Sequence, residues 1–465
     1  MLRTANPTAA PHAGTADPIF AELRRREFAR LDRAGIAYLD YTGSALVSAR
    51  QLRLHRELLA SEIFGNPHAD SAPSRLSTDS LERARSLLLA HLDADDGEYT
   101  VCFTANASGA VKLVAESYPF GRTSAYVLSA DNHNSLNGVR EYARRSGARV
   151  AYVPLDADLR LRDVEDLLAR NAAGIGPRLF AFPAQSNFSG VVHPLALVGA
   201  ARAQGYDVLL DAAAFLPTHA LSLREQRPDF VVLSFYKLFG YPTGLGALVA
   251  RRDALARLVR PWFAGGTVEY VSVQNDMHSL IAGANGFEDG TPDFLGIAAL
   301  AAGFSLLDEI GVERIGAHVR RLTAQLFEAL SGLKNHDGSP VVRLYGPRDM
   351  TARGATIAFN VLRRDGHVVP YWDVDGRARA AGVALRGGCF CNPGAAEAAF
   401  GFEAEAAGRC LRQAATAGPF TIPRFAACLS PDGEIAVGAV RASLGMANND
   451  ADVERAVAVI ESFGD

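Results

Sequence analysis

The chain of 465 residues carries 47 basic and 51 acidic side chains, a net charge of −4, and is 49% hydrophobic. That balance is ordinary for a globular protein and offers no electrostatic pull towards nucleic acid or anionic membranes. No apolar run reaches the ~18–20 residues that cross a bilayer, and the length allows two or three domains with a sizeable core.

Residues 1–18 are rich in Ala, Pro and Thr and lack the apolar core of a signal peptide. They read as a disordered stretch of an N-terminal arm spanning 1–36, and the expected compartment is the cytosol. Five cysteines, Cys102, Cys389, Cys391, Cys410 and Cys428, make an odd count without disulfide-framework spacing, which fits a reducing compartment. From 37 to 299, short apolar runs at 101–104, 124–128, 150–153, 179–182, 208–211, 231–233 and 247–250 predict seven buried strands. Between most of them lie helical patterns such as 137–146, 161–169 and 195–204. The alternation predicts an α/β domain, a mainly parallel seven-stranded sheet with helices on both faces. From 300 to 465 the order changes. A long amphipathic stretch at 300–333 precedes extended runs at 341–345, 355–361 and 383–386. A polar, alanine-rich segment then leads to 435–444, so a smaller C-terminal α+β domain is expected.

Only three lysines occur among 47 basic residues. Where arginine supplies nearly all positive charge, a retained lysine points to chemistry a guanidinium cannot do, such as a Schiff base with an aldehyde. Lys112 falls in a predicted helix and Lys334 in a polar turn, both surface settings. Lys237 follows the strand 231–233 and precedes a Gly/Pro-rich turn, the strand end where α/β enzymes place their chemistry. Asp211 also ends an apolar strand and is followed by three alanines. It suits a protonated ring nitrogen, or a plain helix cap. The turn Phe103-Thr104-Ala105-Asn106-Ala107-Ser108-Gly109 suits a phosphate at a helix N-terminus, or simple N-capping. Together, a phosphate cradle, a carboxylate and a lysine on strand ends describe a site for pyridoxal 5′-phosphate (PLP).

Further motifs extend this. Tyr38-Leu39-Asp40, Gly65-Asn66-Pro67-His68, Asp131-Asn132-His133-Asn134-Ser135, Ser186-Asn187-Phe188-Ser189-Gly190, Ser234-Phe235-Tyr236-Lys237, Gly290-Thr291-Pro292, Arg386-Gly387-Gly388-Cys389-Phe390-Cys391-Asn392-Pro393-Gly394 and Arg441-Ala442-Ser443-Leu444-Gly445 occur in that order. With them the chain resembles the class V aminotransferase and cysteine desulfurase group of fold-type I PLP enzymes. Within that group it is most similar to the N-terminal domain of molybdenum-cofactor sulfurases. The resemblance runs from about 37 to 449. It implies that Lys237 forms the Schiff base, Asp211 pairs with the ring nitrogen and His133 stacks on the ring. Ala107, Ser108 and Ser234 would hold the phosphate. Thr291 would reach the phosphate of a neighbouring subunit in a homodimer. It further implies that Asn187 and Arg441 orient the substrate carboxylate, that Arg386 sits at the mouth of the site, and that Cys391 accepts sulfur. Three departures stand out: Tyr41-Thr42-Gly43 replaces His-Ala-Gly, Gly387 replaces threonine, and Ala396 stands near a usual cysteine. The C-terminal domain with which those sulfurases hold molybdenum cofactor has no counterpart in these residues, so sulfuration of that cofactor by this chain alone is not implied.

The residues carry their own chemical reading. A planar, bidentate arginine grips a carboxylate better than lysine, though Arg441 also suits a surface salt bridge. A neutral His133 offers a flat face, or caps a loop. Cys391 lies five residues after Arg386, and a cation favours a thiolate. Its Gly- and Pro-rich flanks predict a loop that lets a nucleophile approach and withdraw. A buried structural cysteine remains the alternative, and a Cys-x-Cys metal pair lacks a second ligand pair, so no metal is expected. The expected activity is transfer of sulfur from cysteine, or a related amino acid, to Cys391 with release of alanine. The alternatives are a C–S lyase, an aminotransferase or epimerase, and a non-catalytic sulfur-carrier or scaffold. The expected partners are an amino-acid substrate and a sulfur acceptor, with neither nucleic acid nor membrane.

Overall fold

The computed structural model describes residues 17–416, 418–430 and 435–464. Every predicted strand of the first domain joins one seven-stranded sheet: β1 Tyr99–Thr104, β2 Ala125–Ser129, β3 Arg149–Val153, β4 Arg178–Pro183, β5 Asp207–Asp211, β6 Phe230–Ser234 and β7 Gly246–Arg251. The spatial order is β1-β7-β6-β5-β4-β2-β3. Only β7 runs against its neighbours, β1 and β6. The C-terminal ends of the other six therefore share one edge.

Both sheet faces are covered, which is why the strands read as unbroken apolar runs. In β4, Leu179, Phe180, Ala181 and Phe182 are all fully buried. Side chains alternate between two cores, as a two-residue repeat demands. Phe180 and Phe182 join Val101, Val208 and Val231 on one face. Leu179 and Ala181 join Cys102, Leu209 and Val232 on the other. The helices Asn134–Arg145, Val164–Asn171 and Leu197–Ala203 lie where helical patterns were read.

The second domain is built on a four-stranded sheet. Its strands are β8 Val342–Tyr345, β9 Thr356–Val361, β10 Arg386–Gly388 and β11 Ala439–Ser443, in the order β8-β9-β11-β10 with antiparallel pairing. The stretch 300–333 is not one helix but two, Leu300–Ile310 and Val312–Gly332, broken at Gly311. Gly311 has φ 86°, a conformation that costs glycine little. The alanine-rich segment carries the helices Pro393–Phe400, Ala404–Thr416 and Ile422–Leu429. Contrary to the reading of the cysteine spacing, Cys410 and Cys428 form a disulfide. The last two of these helices pack together around Ala414 and Phe425, which brings the two Cα atoms to 5.6 Å.

Of the expected N-terminal arm, residues 1–16, most of the stretch read as disordered, lie outside the described residues, which begin at Asp17. The helices Pro18–Glu27 and Arg30–Ala34 bury Phe20, Leu23 and Leu31 in the main core. Arg24 forms a buried ion pair with Asp452 at 2.7 Å, tying this segment to the last helix.

Candidate active site

The cradle forms where β1 turns into the helix Ala107–Ser117. Asn106 caps that helix, its Oδ1 accepting from Gly109 N at 2.9 Å. A Cβ on Gly246 of β7 would stand 2.5 Å from the Asn106 backbone, so only glycine lets the turn sit this close to the sheet. Ala107 N–H donates to Ser234 Oγ at 2.8 Å, and Ser108 Oγ lies 2.5 Å from Ser135 Oγ. One backbone N–H and three hydroxyls thus converge at the N-terminus of an 11-residue helix, a setting suited to a dianion.

Lys237 lies on the short helix Phe235–Phe239 directly after β6. It shares a cleft with Asn106, Ala107, Ser108, His133, Gln185, Asp211, Ser234 and Tyr236. Its amine makes no hydrogen bond or ion pair among the described residues. Burial pushes its pKa below the usual lysine value; Asp211 opposes that shift and Arg441 adds to it. By contrast, Lys112 pairs with Glu116 at 3.7 Å and Lys334 is exposed, as expected of surface charges. Asp211, at the end of β5, accepts from Ala213 N at 3.0 Å through Oδ1. His133 caps the helix Asn134–Arg145 by accepting from Ser135 N at 3.2 Å through Nδ1. Burial, then the Lys237 charge, lowers its pKa, while Asp211 opposes them. An accepting Nδ1 and a lowered pKa both describe a neutral imidazole.

Arg441 rises from β11 and is 2% exposed. Its Nη1 donates to Asn187 O and its Nη2 to Asp40 Oδ1, both at 2.9 Å. Its Nε is buried without a partner. Arg386 holds the same carboxylate from the other side, Nε lying 3.0 and 2.9 Å from the two Asp40 oxygens and Nη2 2.5 Å from Oδ2. Asn187, expected at the substrate carboxylate, lines the same cleft as Lys237, and its amide also bonds to the cysteine turn. Its Nδ2 donates to Phe390 O at 2.7 Å, and its Oδ1 accepts from Asn392 Nδ2 at 2.9 Å.

Cys391 is a free, exposed thiol. It lies in the turn between β10 and the helix Pro393–Phe400, as its flanks predict, and that turn is bonded to the segment that carries His133. Asn134 N donates to Cys391 O at 2.7 Å, and Asn392 Nδ2 donates to Asp131 O at 2.6 Å. The turn is therefore pinned to the His133 segment. Phe390 and Cys391 both have left-handed backbones, φ 54° and 56°. Cys389 is more enclosed; its Sγ donates to Val437 O at 3.5 Å, and burial pushes its thiol up to about 11. Thr291 is exposed and lies outside the residues that line the cleft of its own chain.

Four contributors were not singled out from sequence. Asp40, Ser135 and Tyr236 lay inside quoted motifs, but nothing local distinguishes a charge that bridges two arginines from one that caps a turn. Gln185 follows β4 on the edge that carries the other groups, and that position was its only signal. It is 2% exposed and its Oε1 has no partner. The cleft thus contains an unpaired lysine, an unpaired amide oxygen, a carboxylate beside small residues and an anion cradle. This donor set fits a phosphorylated aromatic aldehyde.

Comparison with known proteins agrees with this geometry. The sequence profile described as "Aminotransferase class-V" matches residues 37–456. The chain belongs to the aminotransferase class-V family. This class-V chain is 38% identical over 407 residues to molybdenum cofactor sulfurase from Bos taurus, covering 83% of the chain and 46% of that protein. It is 36% identical over 419 residues to the Arabidopsis thaliana protein of the same name, covering 80% and 50%. The chain spans about half the length of these relatives. Among solved structures, the apo cysteine desulfurase from Thermococcus onnurineus NA1 superposes with a TM-score of 0.78 at 24% identity, covering 95% of this chain and 97% of that one. A cysteine desulfurase from Escherichia coli gives 0.73 at 23% identity, covering 96% and 98%. The class-V chain shares their fold.

Proposed function

We propose that this class-V chain is a PLP-dependent enzyme that removes sulfur from cysteine or a related amino acid, leaving it on Cys391 and releasing alanine. The observation that carries this reading is an unpartnered Lys237 in a cleft lined by His133, with the exposed Cys391 held beside the His133 segment by the bond from Asn134 N to its carbonyl. The names of the relatives, sulfurases and desulfurases, support the same chemistry.

In this reading the Ala107 N–H and the hydroxyls of Ser108 and Ser234 would hold the phosphate, Asp211 would keep a proton at the ring nitrogen, and His133 would cover the ring. When bound, the cofactor supplies an aldehyde for the substrate amine and an electron sink for its α-carbon. Lys237, with a lowered pKa, takes the α-proton as general base. Arg441, anchored by Asp40 and the Asn187 carbonyl, directs positive charge at the substrate carboxylate. Cys391 Sγ, as the thiolate, attacks the substrate sulfur. One S–S bond forms, the Cβ–S bond breaks, and its electron pair stays with Cβ, which takes up a proton and leaves as alanine. A scaffold or carrier protein has no use for a lysine so prepared. The chain acts as a homodimer, with Thr291 of one subunit completing the phosphate site of the other.

The test is product analysis with cysteine. The wild-type protein is expected to form alanine and a protein persulfide in equal amounts, and Cys391→Ser to form neither while still binding the cofactor. Pyruvate and free sulfide at an undiminished rate from Cys391→Ser would make the chain a C–S lyase instead.

A further inference from the structure

The two arginines near the substrate carboxylate are not equally free. Asp40 fills the fork of Arg386 with three contacts between 2.5 and 3.0 Å and holds Arg441 with a fourth at 2.9 Å. Its position is architectural. Asp40 bridges to Ser443 of β11, and its carbonyl accepts from Gly43 N at 3.0 Å. A Cβ on Gly43 would lie 2.6 Å from both Arg386 Nη2 and Asp40 Oδ2, so the glycine there lets the ion pair close. Asp40 and Arg441 are 8% and 2% exposed. Charges removed from water to this degree interact strongly, and their sum matters more than in solution.

We propose that Asp40 is a specificity-determining residue: by neutralising Arg386 it leaves this corner of the site one positive charge in excess, which selects amino acids with a single carboxylate. This rests on the function proposed above. Two guanidiniums and one carboxylate sum to +1, and one substrate carboxylate brings the corner to neutrality. A second acidic group, as in aspartate or a cysteine sulfinate, would find Arg386 already occupied and leave an uncompensated negative charge. The sequence offers two arginines here, which alone would suit a dicarboxylic substrate.

Reduced cofactor adducts report this without turnover. N-(5′-phosphopyridoxyl)-L-alanine and N-(5′-phosphopyridoxyl)-L-aspartate are titrated into the cofactor-free protein by calorimetry. The wild-type protein is expected to prefer the alanine adduct. Asp40→Asn raises the corner to +2 and is expected to shift the alanine-to-aspartate ratio by about tenfold towards aspartate. Arg386→Gln lowers it to zero and is expected to weaken the alanine adduct by about tenfold. The double variant Asp40→Asn/Arg386→Gln returns the sum to +1 and should return the ratio towards wild type, which a purely structural role for Asp40 would not produce. A ratio unmoved in folded Asp40→Asn, or not restored in the double variant, overturns the proposal. If Asp40→Asn does not fold, Arg386→Gln decides, because its side chain is 48% exposed and its loss leaves the Arg441–Asp40 pair intact; unchanged affinity for the alanine adduct then overturns it. Wild-type protein that binds neither adduct overturns the cofactor reading itself, an outcome distinct from an unmoved ratio.

Discussion

Lys237 combines two properties that ordinarily exclude each other: it is charged in water, yet sits where charge is disfavoured. Burial and Arg441 both work against its ammonium form. The midpoint of its reductive methylation, followed by mass spectrometry, should therefore fall below the ordinary lysine value of about 10.4. The same shift sets a stability trend in the cofactor-free protein. Between the folded and the unfolded pKa only the unfolded chain holds the proton, so stability rises with pH through that window. Lys237→Met should stabilise the cofactor-free protein at pH 7 in thermal melts, and the gain should shrink as the pH nears 10. With cofactor present, Lys237→Ala should abolish covalent attachment and turnover. Arg441→Lys keeps the charge but loses the planar fork, so substrate affinity should fall by one to two decades, the ~1.5–3 kcal/mol of a charge-assisted contact. The two neighbouring thiols should separate in alkylation at pH 8. Cys391 is exposed, whereas burial holds Cys389 at about 11, so peptide mapping should find label on Cys391 first.

The turn from β10 to the helix Pro393–Phe400 shows how a sequence can mark an element without showing what holds it. Gly387, Gly388, Pro393 and Gly394 announce a break in regular structure. They say nothing of Asn392, which is fully buried and bonds to Asp131 O, Asn187 Oδ1 and Ala395 N. These bonds offset two consecutive left-handed residues, each costing roughly 1–2 kcal/mol without glycine. Asn392→Ala should lose about 2–4 kcal/mol of stability in denaturant unfolding, from bonds removed and partners left unpaired. Phe390 adds to the fixation by packing against Phe188 at 5.3 Å between ring centroids, with Arg441 4.8 Å above its ring. The amphipathic stretch at 300–333 divides into two helices without a break in its pattern, since one glycine with a positive φ redirects the chain without disturbing the apolar period on either side.

At the scale of the molecule, the second domain meets the edge built by the first: Arg441 donates to Asn187 O, and Cys391 O accepts from Asn134 N. The hairpin Val268–Ser272 and Met277–Leu280 exposes Tyr270, Val271, Val273 and Met277, with Trp262 and Phe263 nearby in sequence. Together with an exposed Thr291 outside its own cleft, this fits the proposed dimer. In a mixture of Lys237→Ala and Thr291→Val chains, half of the sites in each hybrid dimer regain a wild-type lysine and a wild-type threonine. Cofactor affinity and absorbance should recover in those sites. A monomer at micromolar concentration with full cofactor affinity would contradict the shared site.

The seven strands were legible because covering both sheet faces with helices demands unbroken apolar runs, a local property of the chain. Lys237, Asp211 and the turn at 104–108 were legible for a related reason. Parallel connections return the chain to the same edge, so groups at successive strand ends become neighbours whatever lies between. The pairing of Asp40 with Arg386 and Arg441, across 346 and 401 residues, had no such rule to announce it. Nor did the commitment of Asn187 to the cysteine turn, or the meeting of Cys410 with Cys428. Burial on a strand follows from the residue and its neighbours, whereas the partner of a polar side chain is set by which surfaces the folded domains press together.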